Sequence, residues 1–204
     1  MAFSRALALL HDRSSLPVEE VGLNRELYFC LLQANRELDP DGRYPPPMTE
    51  CCNQPDADDA ARAKREHKRP DFSWGFTDPH EADYQRSAKQ LIVECKRVGA
   101  PTSSGWILNE NYIELGVWRF INPEWSYAKR FPSAAMVGYW QTMDGDENLK
   151  EVNQAAHRRG LPAIALSVDG WRVGAMSELH HVLDRSFPMS PFHLHHLWID
   201  LRKL

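Results

Sequence analysis

The sequence predicts a mixed α/β domain, a central sheet flanked by helices. Three observations predict it. Leu23, Leu27, Leu31 and Ala34 recur at helical spacing and mark an apolar stripe. Residues 90–98 and 134–140 are short, apolar, β-prone runs of the kind that lie inside a sheet. Between them, residues 107–121 return to a helical pattern. Strand and helix signals that alternate along a chain are the mark of an α/β fold.

Taken in order, residues 2–11 predict a first helix. They are apolar, but short and broken by Arg5, and so do not read as a signal peptide. Residues 18 to about 35 predict a stronger helix, with Pro17 near its start and Cys30 beside the stripe. Residues 39–59 read as loop, with Asp-Pro-Asp-Gly, three consecutive prolines and an acidic cluster. Residues 60–68 predict a short helix. Residues 71–76 predict a strand in which Phe72, Trp74 and Phe76 alternate. After a polar connection over 77–89 comes the strand at 90–98, then a loop at 101–105. The helix at 107–121 carries Ile107, Tyr112, Leu115, Trp118 and Phe120. The strand at 134–140 follows, then a helix at 146–159 stopped by Gly160 and Pro162. Residues 163–168 predict a short strand. Residues 192–201 fit a helix by spacing, but their aromatic and branched residues favour a strand buried on both faces. No repeat or linker divides the chain, so 1–204 reads as one domain.

Composition narrows the class. A chain of 204 residues with 43% hydrophobic residues can bury a real core and is not disordered. No apolar run reaches membrane-span length. Cys30, Cys51, Cys52 and Cys95 show no CxxC pairing, which points to a reduced, cytoplasmic protein. A net charge of −4 does not advertise a nucleic-acid binder. The local pattern says more. Asp56, Asp58 and Asp59 give way to Arg62, Lys64, Arg65, His67, Lys68 and Arg69, a basic run that leads into Pro70-Asp71.

The strand at 90–98 holds the most informative residues. Its apolar run carries Glu94 and Lys96, opposite charges two residues apart and therefore on one face. A buried strand carries such a pair when the charges neutralise each other, bind a metal, or do chemistry. A plain ion pair on an exposed face is the bland alternative. Cys95 between them points the other way, toward packing.

Pro70-Asp71 on one strand, Glu94-x-Lys96 on the next, a helix before and a helix and strand after resemble the PD-(D/E)XK nuclease superfamily. That superfamily includes restriction endonucleases, Holliday-junction resolvases and phage-defence effectors. The resemblance spans roughly residues 17–141 and leaves 142–204 as an extension; no subfamily is identified. Tyr112-x-x-x-Gly116-x-x-Arg119-Phe120, Tyr127-Ala128-Lys129 and residues 135–139 also look like stretches of its members.

The resemblance implies a restriction-endonuclease-like core and a Mg²⁺-dependent endonuclease, with Mn²⁺ able to substitute. Asp71, Glu94 and the Cys95 carbonyl would hold the metal, and Lys96 would orient or deprotonate the attacking water or hold the phosphate. A lysine base needs a depressed pKa. A further carboxylate is expected from the preceding helix: Glu26 flanks the buried stripe, with Glu19 as runner-up, and an ordinary surface ion pair is the alternative for both. Asp78, Glu81 or Asp83 could replace Asp71. DNA is favoured over RNA on the resemblance alone. Arg69, Arg97, Arg119, Lys129 and Arg130 are candidate phosphate contacts, although an exposed charge is the bland reading of each. Cutting both strands of a duplex suggests a homodimer. A partner protein is a further expectation.

Other features weigh less. His180, His181, His193, His195 and His196 cluster, but without a zinc spacing, so structural or substrate-contact roles are expected. Trp74 and Trp106 flank the site and could stack on bases. No phosphate-cradling glycine loop is present. The alternative functions are a catalytically inactive nucleic-acid-binding or scaffold subunit of a defence or repair complex, and an unrelated α/β protein with a coincidental Glu-x-Lys.

Overall fold

A computed structural model describes residues 2–43, 45–59, 61–186 and 188–202. Its elements are α1 (Ala2–His11), α2 (Glu20–Leu38), β1 (Met48–Thr49), β2 (Phe72–Thr77), β3 (Ala88–Val98), α3 (Leu108–Glu114), β4 (Ser133–Trp140), α4 (Gly145–Arg158), β5 (Ala165–Leu166), β6 (Met176–Leu183) and β7 (Phe192–Asp200). The sheet has seven strands in the order β1-β2-β3-β4-β7-β6-β5. β3, β4 and β7 run parallel, and the pairs outside them are antiparallel. This is the expected mixed sheet.

Helices cover both faces. One core layer joins Leu7, Leu23, Leu27 and Leu31 of α1 and α2 to Phe72, Val93, Cys95, Val137, Tyr139 and Ile199. The other joins Ile92, Met136, Leu179, Leu194 and Trp198 to Tyr112, Ile113, Val152 and the 117–128 segment. Successive residues of β3 and β4 feed opposite layers, which is why both strands read as unbroken apolar runs. The strand expected at 192–201 forms as β7, central in the sheet.

Four expectations change. The helix expected at 107–121 ends at Leu115 and resumes as a 3-10 turn, Val117–Phe120. Gly116 makes that break: a Cβ there would lie 2.6 Å from Met136 Cε and 3.2 Å from Lys96 Cγ. The helix expected at 60–68 is one 3-10 turn, Lys64–His67, with Ala60 outside the described residues. The strand expected at 163–168 is two residues long. β6 was hidden in the sequence because two of its inward positions, Ser177 and His181, are polar. Its inward and outward residues still alternate with period two.

Candidate functional site

The site forms where β2 begins and β3 runs on without it. β2 pairs with β3 from Phe72↔Val93 to Thr77↔Ala88. Among the described residues, Glu94 to Val98 have a strand neighbour only in β4. The backbone of Cys95 is therefore available on the side that β2 has left. The Asp71 carboxylate, one residue before β2, accepts the Cys95 N–H at 2.7 Å through Oδ2. Asn24 of α2 donates to Asp71 Oδ1 at 3.0 Å, and Tyr139 donates to Asn24 at 2.8 Å.

Lys96 lies at the centre. Its ammonium donates to the Cys95 carbonyl at 2.7 Å and to Glu20 Oε1 at 2.7 Å. Glu94 Oε1 is 3.1 Å away and Asp71 Oδ2 3.9 Å. An ammonium is thus caged by three carboxylates and a carbonyl. Burial alone would lower the Lys96 pKa, but Glu94, Asp71 and Glu20 outweigh it and raise it above the ordinary value. Lys96 is held as a cation. The depressed pKa that a lysine base needs is not found in this arrangement.

Glu94 is fully buried and also bonds to Arg119, delivered by the turn after Gly116. Its Oε2 is buried without a partner. Burial and then the Asp71 charge push the Glu94 pKa up to about 8, against the pull of Lys96 and Arg119. The Arg119 guanidinium stacks 4.3 Å over Trp125, which Lys68 covers at 4.2 Å. A cavity of about 240 Å³ lies beside Asp71 and Glu20, lined also by Asn24, Arg25, Tyr28, Thr49 and Glu50 among others.

The structure brings together Asp71, Glu94, Cys95, Lys96 and Arg119, and it corrects the helix carboxylate. Glu26 lies six residues beyond Glu20, which is about 240° around the helix. It faces Arg13 at 4.0 Å and Arg25 at 3.5 Å, away from Lys96. Glu19 is exposed and pairs with Arg97 at 3.6 Å. Glu20 supplies the contact instead. Glu20 and Asn24 stand four residues apart, on one face beside Leu23 and Leu27. That spacing was the available signal.

The proposed phosphate contacts disperse. Arg69 is exposed next to Pro70. Arg97 is mostly buried, on the strand face opposite Lys96. Lys129 and Arg130 are turned onto the acidic segment instead of outward: Lys129 meets Asp59 at 2.8 Å, and Arg130 meets Asp56 at 2.6 Å and also bonds Asp58. Asp78, Glu81 and Asp83 stay in the 78–87 connection, where Lys89 and Arg86 pair with them. Trp74 packs on Phe3, and Trp106 is exposed.

The histidines split by strand alternation. His181 and His196 are buried, while His180, His193 and His195 are exposed on the opposite face. Among the described residues, no three or more His, Cys, Asp or Glu side chains are gathered to hold a metal ion. The Cys95 thiol is buried, and burial and then Asp71 push its pKa well up, so it packs and does not attack. All four cysteines are free. No helix among the described residues is long and apolar enough to cross a membrane. Compared with known proteins, the chain matches no family model, no curated protein and no solved structure.

Proposed function

We propose that the chain is a metal-dependent endonuclease that hydrolyses phosphodiester bonds, with DNA as the substrate. The observation that carries this reading is the convergence of Asp71, Glu94, Glu20 and the Cys95 carbonyl on one cationic point, with Glu94 Oε2 buried and unpartnered. These are hard oxygen donors, which fit Mg²⁺ and admit Mn²⁺. The order α2, β2, β3, α3, β4, with β2 antiparallel and β4 parallel to β3, supports a restriction-endonuclease-like core.

Asp71, Glu94, the Cys95 carbonyl and Glu20 would hold the metal. A bound divalent cation would supply charge neutralisation at the phosphate and an activated water. The chain's own groups do the rest. Asp71 fixes the Cys95 backbone and so the direction of its carbonyl. Lys96, a resident cation, neutralises charge on the phosphate and does not take a proton. Arg119, stacked on Trp125, is placed to contact a phosphate oxygen if Glu94 turns to a metal. Duplex cleavage would call for two copies of the chain, and restriction or phage defence is the setting that suits such an activity.

One observation favours a second reading. The Lys96 ammonium fills the point between the carboxylates, as in a site retired from catalysis. A non-cutting nucleic-acid-binding or scaffold subunit would keep that arrangement for stability. Cleavage separates the two. Wild type and Lys96→Ala are incubated with plasmid DNA, single-stranded DNA and RNA in Mg²⁺, Mn²⁺ or EDTA. Metal-dependent cutting of DNA by wild type alone is expected. Folded wild type that cuts nothing with either metal overturns the nuclease reading, and DNA binding that survives Asp71→Ala then favours the second.

A further inference from the structure

A second cavity lies away from the Lys96 site. It encloses about 770 Å³, within the range of small-molecule sites. It sits at the carboxyl ends of the parallel strands β3, β4 and β7, where Arg97, Gln141 and Asp200 to Arg202 line it. Open α/β sheets bind ligands at that end. The remaining wall is the α1–α2 connection, His11 and Arg13 to Val18, together with Thr102 and Leu108.

The lining has two parts. Three arginines, Arg13, Arg97 and Arg202, face the cavity with one carboxylate, Asp200. Asp200 is committed: it accepts from Gly174 N–H at 3.1 Å and from Arg202 at 2.7 Å. Among the described residues, the Arg97 side chain is paired with Glu19 alone, at 3.6 Å, and Glu19 is 78% exposed. Among the same residues, the Arg13 side chain has only long contacts, 3.8 Å to Cys30 Sγ and 4.0 Å to Glu26. Two guanidiniums are therefore weakly engaged at a concave surface, an arrangement suited to bidentate capture of phosphate oxygens. Leu16, Pro17, Leu108 and Leu201 add apolar surface to the lining. Guanidiniums together with apolar surface match a phosphate joined to a less polar group.

We propose that this cavity binds a phosphorylated small molecule of nucleotide size, with Arg13 and Arg97 on the phosphate. The proposal does not rest on the nuclease reading. Its ligand enters on the opposite face of β3 from Lys96, so occupancy would bear on Glu19 and, through the first turn of α2, on the neighbouring Glu20.

Thermal shift and calorimetry in EDTA test it, with AMP, ADP, ATP, pyrophosphate and adenosine as probes and the whole chain as target. At least one nucleoside phosphate is expected to raise the Tm, and adenosine is not. Arg13→Gln and Arg97→Gln should each weaken binding about tenfold or more, while Arg158→Gln, at an exposed residue of α4 outside the lining, leaves it unchanged. Arg13 is exposed, so its variant tests the site even if Arg97→Gln fails to fold. No stabilisation by any probe at millimolar concentration overturns the proposal. So does binding that is lost in Arg158→Gln but kept in Arg13→Gln, and so does binding of a DNA oligonucleotide with none of the mononucleotides.

Discussion

Lys96 and Glu20 are joined by a 2.7 Å ion pair across 76 residues of chain. The pair ties the first turn of α2 to the open edge of β3 and gives the candidate site its third carboxylate. Glu20→Ala is therefore expected to lower metal-dependent cleavage by about tenfold or more. Glu26→Ala, on another face of the same helix, should leave cleavage at the wild-type rate. Parallel rate measurements on the two variants check this; equal losses, or none in Glu20→Ala, would remove Glu20 from the site.

Glu94 gives the site a pH signature. It holds its proton more tightly folded, with a pKa near 8, than at its ordinary value of 4.5. The stability it contributes is complete below about pH 4.5 and is lost as pH rises through about 8. In EDTA the wild-type Tm should decline across that window, and Glu94→Gln should flatten the decline by a few degrees, on the order expected for a domain of this size. Under the proposed function Mg²⁺ would compete with the same proton, so its affinity should climb over the window with proton release. Calorimetry in buffers of different ionisation heat reads that release; its absence would detach Glu94 from the metal.

Gly116 separates α3 from the turn that carries Arg119. In Gly116→Ala the new methyl meets Met136 and the Lys96 stem. The expected cost is about 1–3 kcal/mol, from crowding in a packed core. Urea denaturation measures it. Cleavage should fall as well, because the turn that aims Arg119 must shift. A variant as stable and active as wild type would refute the close approach.

The basic residues should divide by partner. Arg130 faces Asp56, whose side chain is 4% exposed, and holds its pKa down to about 2 although burial raises it. Arg130→Ala leaves that carboxylate short of a partner and should cost about 1–3 kcal/mol. Stability from Asp56 is present above about pH 3.8 and is lost as pH falls through about 2, so the variant loses least in strong acid. Arg69→Ala should cost no stability and should lower DNA affinity, with a shallower salt dependence. Denaturation and binding titrations at several salt concentrations distinguish the two behaviours.

Much of the sheet was legible because its central strands are apolar on both faces. β3 and β4 need no partner to be recognised, and β7 declared itself by its aromatic and branched residues. β6 was not legible, since Ser177 and His181 occupy core positions and break the apolar pattern. The 107–121 segment kept helical spacing past Gly116, and only the approach of Met136 and Lys96 shows why the helix must stop there. Within the site, Glu94 and Lys96 stood out as charges inside an apolar strand. Glu20 did not, because a carboxylate in a helix's first turn is common for reasons of dipole alone. Its distinction comes from where β2 begins, which is a matter of tertiary register. Lys129 and Arg130 misled for a similar reason: their partners lie about seventy residues earlier, at Asp56 to Asp59.

The late start of β2, at Phe72 opposite Val93, has one more consequence. Strand segments with idle N–H and C=O groups are templates for intermolecular pairing. Among the described residues, the only strand neighbour along 94–98 is β4, and the Asp71 carboxylate and Lys96 ammonium engage Cys95's backbone. These side chains thus cap backbone groups that β2 leaves unpaired inside the fold, so substitutions chosen to stop chemistry also uncap this stretch of β3.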